Sequence, residues 1–185
     1  MRCAWVTDDP LYLRYHDEEW GMPLFDEDKV FEFLLLESFQ AGLSWLTILK
    51  KREHFRVAFD DFDAEKIAAY DSAKISRLLN DPGIVRNKLK VNAAVANAQN
   101  VLKLREEGSG LSGFLWNYVE SKPLQPERQS ATDVPATTEL SDTISKDLKK
   151  RGFKFVGSTI IYAFMQATGM VNDHTRDCFR WLELT

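Results

Sequence analysis

Residues 29–50 read KVFEFLLLESFQAGLSWLTILK and form the most apolar stretch of the chain. Apolar side chains fall on every face of a helical projection of this stretch, so a single amphipathic stripe does not describe it. The pattern predicts a buried helix that Gly42 interrupts, followed by a second helix with Ser44 as its N-cap. Glu37 lies inside the apolar run, where an ionised carboxylate is costly unless another group pairs with it.

The rest of the chain predicts further helices and few strands, because alternating patterns with paired turn signals are scarce. We expect an all-α fold with one helical domain over residues 1–185. Residues 123–143 are rich in Pro, Ser, Thr and Gln and predict a long mobile loop. The predicted helices outside 29–50 are 64–70, 72–80, about 86–106, one capped by Ser141 or Asp142 that runs to Lys150, and one capped by Ser158 that Gly169 closes.

Charge and hydropathy narrow the class of protein. The net charge is −4, so any binding to nucleic acid must come from local basic clusters rather than from a global basic field. There are three such clusters, although each is also typical of a solvated helix face: Lys50 to Arg52 with Arg56, Arg86 with Lys88 and Lys90, and Lys149 to Arg151 with Lys154. No apolar run approaches the ~20 residues that span a bilayer, and the start lacks the order of a signal peptide. We therefore expect a cytoplasmic protein without membrane contact.

Both cysteines and two of the three histidines lie near the ends of the chain, at Cys3, His16, His174 and Cys178. His174 and Cys178 are four residues apart, which in a helical turn places both on one face, as the second ligand pair of many structural zinc sites requires. Four ligands leave no open position, so such a metal would be structural. The spacing alone leaves ordinary cysteines and a solvent-facing histidine equally open. His54, among basic residues, is expected at the surface.

Residues 78–86, LLNDPGIVR, predict a tight turn between two helices, that is, a helix-hairpin-helix at about 72–103. Gly83 permits close backbone approach, and the free amides at the start of the second helix would bind a phosphate. Arg86, Lys88 and Lys90 add positive charge where a DNA strand would run. Many helical proteins contain one such glycine turn, so the feature by itself does not establish DNA binding.

Glu37 is accompanied by aromatic residues that can be placed near it: Trp5, Tyr12, Tyr15, Trp20 and Trp45. Such residues are often simply core. A carboxylate among aromatic faces nevertheless suits a planar cationic base, because the rings stack on the base while the carboxylate neutralises it.

Taken together, these residues resemble the 3-methyladenine DNA glycosylase I family of the helix-hairpin-helix superfamily. The resemblance covers nearly the whole chain. It rests on Cys3-Ala4-Trp5, Pro10-Leu11-Tyr12, Tyr15 to Gly21, Glu37, Gln40 to Trp45, Pro82-Gly83-Ile84 with Arg86 and Lys88, Lys149 to Gly157, and Asn172-Asp173-His174.

The resemblance implies a role for each matching residue. It implies one structural zinc per chain, which would join residues about 1–20 and 170–185 into a zinc-binding subdomain. It places the base pocket on Glu37, with Tyr12 and Trp20 lining it, and the wedge that enters DNA on Leu43. The implied zinc ligands are Cys3, His16, His174 and Cys178, and the other base-binding residues are Trp5, Tyr15 and Trp45.

The expected function is a monofunctional glycosylase, acting as a monomer, that flips 3-methyladenine out of double-stranded DNA containing alkylated bases and hydrolyses its bond to the sugar. Related superfamily members carry an aspartate beyond the hairpin, but residues 86–105 contain no acidic side chain. We expect Glu37 to be ionised at neutral pH and to hydrogen-bond the methylated base. The alternatives are a non-catalytic helix-hairpin-helix module that only grips DNA, and a helical zinc enzyme of small-molecule metabolism. No role is predicted for residues 179–185.

Overall fold

The computed structural model describes all residues from 1 to 185, and it contains helices but no β-strand. The all-α prediction is therefore confirmed. The helices are α1 (Pro10–Glu18), α2 (Glu27–Gln40), α3 (Trp45–Ala58), α4 (Ala64–Ala68), α5 (Ser72–Asn80), α6 (Lys88–Glu106), α7 (Gly110–Trp116), α8 (Glu139–Lys150), α9 (Ser158–Ala167) and α10 (Phe179–Glu183). Short 3₁₀ turns lie at Asp60–Phe62, Asn117–Val119 and Ala131–Asp133.

Helix α2 lies at the centre of the fold and contacts α3, α6, α7 and α9. Ten consecutive residues of this helix, from Val30 to Phe39, are buried, as the all-round apolar pattern predicts. The helix ends at Gln40, and Gly42 adopts a φ of +81°, a conformation that favours glycine. The Ser44 hydroxyl accepts a hydrogen bond from the Thr47 amide at 3.2 Å, so the predicted cap of α3 is confirmed.

Three helix starts differ from the prediction. Helix α6 begins at Lys88 with Asn87 as its cap, which leaves Arg86 in the preceding turn. Helix α8 begins at Glu139 rather than after Ser141, because the Thr138 side chain caps it and the Ser141 hydroxyl reaches back to the Thr138 amide. Helix α9 has Gly157 as its N-cap.

Helices α1, α7 and α10 were not predicted from the sequence. Helix α1 has a local start signal, since Asp9 caps it through the Leu11 amide and Pro10 follows. Helix α7 instead depends on a distant group. The Glu27 carboxylate accepts hydrogen bonds from the amides of Leu111 and Ser112, at 2.8 and 2.7 Å, and so satisfies the start of this short helix.

The segment 123–143 is held against the C-terminal part of the chain, contrary to the prediction of a mobile loop. The Leu124 amide donates to the Met170 carbonyl at 2.9 Å, and the Asn172 amide donates to the Leu124 carbonyl at 2.8 Å. The two ends of the chain also meet, because the Phe179 amide donates to the Met1 carbonyl at 3.0 Å. None of the helices combines the length and the apolar character needed to cross a bilayer.

Candidate active site

A pocket of about 350 Å³ opens between α1, α2, α3 and α9. This volume lies in the range of small-ligand sites. The pocket wall contains Glu37 and all five of the aromatic residues predicted to surround it: Trp5, Tyr12, Tyr15, Trp20 and Trp45. The structure thus brings together side chains from an N-terminal loop, three helices and the turn after α1.

The aromatic rings pack against one another at tilted or edge-on angles. Trp5 lies 5.0 Å from both Tyr12 and Trp20, and Tyr15 lies 5.4 Å from Trp45, between ring centroids. The indole N–H groups of Trp5 and Trp45 are buried and have no hydrogen-bond partner. A buried donor without a partner is costly, so the packing of the two rings comes at some cost in stability.

Glu37 is 3% exposed, and burial raises the pKa of its carboxyl group to about 8. No neighbouring cation offsets this burial. Burial therefore favours the protonated acid at neutral pH, which differs from the ionised state expected from the sequence. A cationic ligand in the pocket would reverse the preference, because an adjacent positive charge stabilises the carboxylate. Burial, and next the nearby Glu37, also raises the pKa of Tyr15.

Cys3, His16, His174 and Cys178 are all buried, and their ligand atoms lie within 4.8 Å of one another. Three of the distances between a thiol sulfur and an imidazole nitrogen are 3.4 Å: Cys3 to His174, Cys178 to His174 and Cys178 to His16. Tetrahedral bonds of zinc to sulfur and nitrogen predict edges of about 3.4–3.8 Å between ligand atoms. The four residues therefore fit a tetrahedral metal ion.

The hydrogen bonds behind the cluster also suit a metal. Nδ1 of His16 lies 2.8 Å from the Asp17 carboxylate, and Nε2 of His174 lies 3.0 Å from the Trp20 carbonyl. Since these acceptors require N–H donors, the other nitrogen of each neutral ring, which faces the thiols, is the one that can bind a metal. Metal-binding histidines are commonly oriented in this way. The close approach also requires Gly21, where a Cβ atom would lie 2.9 Å from Nε2 of His174.

The cluster and the pocket share a wall. Cys3 lines the pocket, and Trp5 packs edge-on against the His16 ring at 5.3 Å between centroids. Trp20 stacks on His16 at 6.3 Å and meets His174 edge-on at 4.6 Å. A metal that fixes the two imidazoles would therefore also fix two rings of the pocket.

The turn between α2 and α3 projects Leu43, whose side chain is 38% exposed. The Gln40 amide group donates to the Leu43 carbonyl at 2.5 Å, and the Leu43 amide donates to the Gln40 carbonyl at 2.6 Å. The Lys90 ammonium donates to the carbonyls of Phe39 and Ala41, at 2.9 and 2.6 Å. Lys90 is thus buried under the turn and is not available to a DNA strand, contrary to the sequence-based prediction.

The predicted hairpin lies between α5 and α6. Arg86 and Lys88 are exposed and form no ion pair, whereas the Lys51 ammonium donates to the carbonyls of Pro82 and Gly83, at 3.0 and 3.3 Å. The Asn87 side chain accepts hydrogen bonds from the amides of Leu89 and Lys90 at the start of α6. The prediction that the amides at this helix start are free was therefore wrong for these two.

Several other basic residues of the predicted clusters form ion pairs within the protein, among them Lys50 with Asp9 at 2.8 Å and Arg151 with Glu107 at 2.7 Å. Arg52 and Arg56 both pair with the buried Glu32 carboxylate, at 2.7 and 2.9 Å. His54 is exposed, as predicted, and packs beside Gly83.

Sequence reasoning missed part of the pocket wall. The additional lining residues include Gln40, Ala131, Val134, Ala163, Gln166, Asp173 and Thr175. Ala131 and Val134 belong to the segment predicted to be mobile, so no local signal linked them to a site. Asp173 belongs to the Asn172-Asp173-His174 stretch that resembles the family. Its place beside a predicted metal ligand was the only sequence signal that could have identified it as a site residue.

Comparison with known proteins gives consistent results. Residues 5–181 match the family model described as methyladenine glycosylase. The chain is 48% identical to DNA-3-methyladenine glycosylase 1 of Escherichia coli (strain K12) over 177 residues, which cover 96% of this chain and 95% of that protein. A crystal structure of 3-methyladenine DNA glycosylase I superposes with a TM-score of 0.95 at 48% identity and covers 97% of this chain and 98% of its own. A tyrosine-to-phenylalanine variant of 3-methyladenine DNA glycosylase I in complex with 3-methyladenine gives a TM-score of 0.93 at 43% identity, with 96% of both chains covered.

Proposed function

Because this chain belongs to the methyladenine glycosylase family, we propose that it is a monofunctional DNA glycosylase that excises 3-methyladenine from alkylated DNA and leaves an abasic site. The observation that carries the proposal is the buried Glu37 carboxyl group, which has no cationic partner and lies among aromatic rings. A protein that only binds the DNA backbone does not need a buried carboxyl group without a cationic partner, because such a group is costly to bury.

Recognition of the base follows from charge and shape. Adenine methylated at N3 and still attached to the sugar is a cation, and a flipped cation can stack on the pocket aromatics. Glu37 becomes ionised beside it and accepts a hydrogen bond from the base. Unmodified adenine is neutral, so it would leave the Glu37 charge uncompensated or the carboxyl group protonated.

The hydrolysis needs little acid catalysis. When the bond between C1′ and N9 breaks, its electron pair returns to the cationic base, which departs neutral. The sugar becomes oxocarbenium-like, water adds to C1′, and the proton of that water passes to solvent. Residues 86–105 offer no acidic side chain for this step. The pocket then acts by binding the flipped base and by sheltering the reacting centre.

We further propose that Cys3, His16, His174 and Cys178 hold one structural zinc ion. The 3.4 Å spacings and the outward hydrogen bonds of both imidazoles support this choice. Bound zinc would supply no chemistry to the reaction, because four protein ligands leave no position for water. In the chain, it would hold residues about 1–20 against residues about 170–185 as a subdomain of a single helical domain.

Contact with duplex DNA is proposed for two exposed turns. Leu43 enters the stack as the flipped base leaves, and the hairpin at about 72–103 binds phosphates through Arg86 and Lys88. These residues follow the turn at Gly83, whose own amide already donates to the Asp81 carboxylate at 2.7 Å. The exposure of Leu43 and the unpaired state of both cations support these roles. We also propose that the protein works as a monomer in the cytoplasm.

The direct test is incubation of the purified protein with methylated DNA, followed by chromatography of the released bases. We expect free 3-methyladenine and intact DNA strands that break only when abasic sites are cleaved by alkali. Binding without release of any base would favour the non-catalytic module and contradict the enzyme.

A further inference from the structure

The outer wall of the base pocket is formed by a short turn around Ala131 and Val134, far in sequence from the other lining residues. The turn is internally fixed, because the Asp133 carboxylate accepts hydrogen bonds from the amides of Gln129 and Ser130, at 2.9 and 2.8 Å. The position of the turn therefore depends on the contacts that anchor its ends to the rest of the protein.

Arg128 holds the beginning of this turn. Its Nε donates to Oδ1 of Asp173 at 2.9 Å, and its Nη2 donates to the Tyr162 hydroxyl at 3.2 Å. Asp173 is fully buried and receives two more hydrogen bonds at Oδ2, from Tyr162 at 2.5 Å and from Gln166 at 2.9 Å. Both Asp173 and Gln166 line the pocket themselves.

From this geometry we infer that the Arg128–Asp173 pair is a positioning device that fixes the Ala131–Val134 wall and thereby limits the size of the base that the pocket accepts. The inference rests on the proposed function and extends it from charge selection to size selection. Glu37 distinguishes cationic from neutral bases, whereas the wall distinguishes a small alkyl group from a larger one.

The chain offers a matched control. Glu127 and Arg176 form an exposed ion pair at 2.8 Å that joins the same two segments as Arg128 and Asp173. Neither residue lines the pocket. If any cross-link between the segments sufficed, removal of either pair would have the same effect on base selection.

The test is a fluorescence titration of the pocket tryptophans with free 3-methyladenine, 3-ethyladenine and 3-benzyladenine. Apolar pockets discriminate by about 10- to 200-fold for one methylene group. We expect Arg128→Ala to lower the preference for methyl over benzyl by about tenfold, Arg128→Lys to lower it less, and Glu127→Gln to leave it within about twofold. Equal weakening of all three ligands by Arg128→Ala, with metal content unchanged, would overturn the inference.

A second variant covers the case in which Arg128→Ala does not fold because Asp173 loses its cation. Val134→Ala enlarges the pocket directly and leaves the ion pair between Arg128 and Asp173 intact. It should therefore also reduce the preference for 3-methyladenine over 3-benzyladenine. An unchanged ratio in Val134→Ala would contradict the size-limiting wall. Failure of the wild-type protein to release 3-methyladenine from methylated DNA would contradict the proposed function as well, whereas normal release with unchanged ratios in the variants would overturn this inference alone.

Discussion

The His174 ring donates a hydrogen bond from Nε2 to the backbone carbonyl of Trp20 at 3.0 Å, and the two rings meet edge-on at 4.6 Å between centroids. One histidine thus belongs both to the cysteine and histidine cluster and to the support of the pocket. Loss of a metal from this cluster should therefore weaken base binding as well as lower the stability of the fold.

Cys3→Ser should remove the zinc ion and lower stability, because a hydroxyl is a poor replacement for a thiolate ligand. A loss of at least about 3 kcal/mol would lower the Tm by roughly 6–12 °C in a domain of this size. Elemental analysis and thermal unfolding, on protein purified without added metal, measure both effects. Thr175→Val is the control, since its hydroxyl lies 3.9 Å from the Cys3 sulfur and is not a ligand. A full equivalent of zinc in Cys3→Ser would refute the assignment.

Glu37→Gln should slow excision of 3-methyladenine by about 10- to 150-fold, because a hydrogen bond to a charged group contributes roughly 1.5–3 kcal/mol. Binding to DNA that carries an abasic site should barely change, since no base then occupies the pocket. Single-turnover excision and abasic-site binding, measured on one preparation, separate recognition from folding. Full excision activity in the variant would rule out this role of Glu37.

The stability of the wild-type protein should fall between about pH 4.5 and pH 8. Burial raises the pKa of Glu37 from 4.5 to about 8, so the folded state keeps a proton that the unfolded state releases in this range. The stabilisation is complete below pH 4.5 and is lost as the pH rises through 8. Glu37→Gln cannot ionise and should be more stable than wild type at pH 9, by a few kcal/mol.

Urea unfolding of both proteins at pH 5 and pH 9 checks this sign. Glu65→Gln, on the exposed side of α4, is the matched control and should follow the wild-type curve. Parallel stability curves for Glu37→Gln and wild type would contradict the buried, unpartnered carboxyl group.

Leu43→Ala should weaken excision from duplex DNA more than from single-stranded DNA, because only the duplex leaves a gap to be filled. Loss of roughly 1–2 kcal/mol of apolar contact corresponds to about a 5- to 30-fold slower rate. Val57→Ala is a suitable control, since Val57 is an apolar side chain of α3 that is 80% exposed. The same loss on both substrates would remove the wedge role.

The combined change Arg86→Ala and Lys88→Ala should weaken binding to any DNA sequence and flatten its dependence on salt. Each lost phosphate contact makes the negative slope of log K against log salt shallower by about 0.9. Lys66→Ala removes a lysine that is already paired with Asp63 and should leave the slope unchanged. An unaltered slope in the double variant would place the phosphate contacts elsewhere.

Local patterns predicted the centre of the fold well. The all-round apolar run identified α2, and Gly42 with Ser44 located the turn into α3, because both signals act within a few residues. The burial of Glu37 followed from its apolar neighbours. The identity of the pocket aromatics and of the wedge came instead from the family resemblance, since spacing alone does not show which rings meet.

Long-range contacts account for what the sequence did not predict. Lys90 and Arg86 look alike in the sequence, yet Lys90 is buried against carbonyl groups while Arg86 is exposed. Similarly, Arg128 lies in a polar segment, and its role depends on Asp173, 45 residues away. Charge patterns cannot distinguish a cation that faces water from one that finds an acceptor across the fold.

The meeting of Cys3 and His16 with His174 and Cys178 also sets the order in which the protein can mature during synthesis. The N-terminal ligands and the aromatic residues up to Trp45 leave the ribosome early, but they cannot be fixed until residue 178 has emerged. We expect a nascent chain to bind no alkylated base until residue 178 has left the ribosome. Base binding would then depend on a folding step that joins residues far apart in the chain.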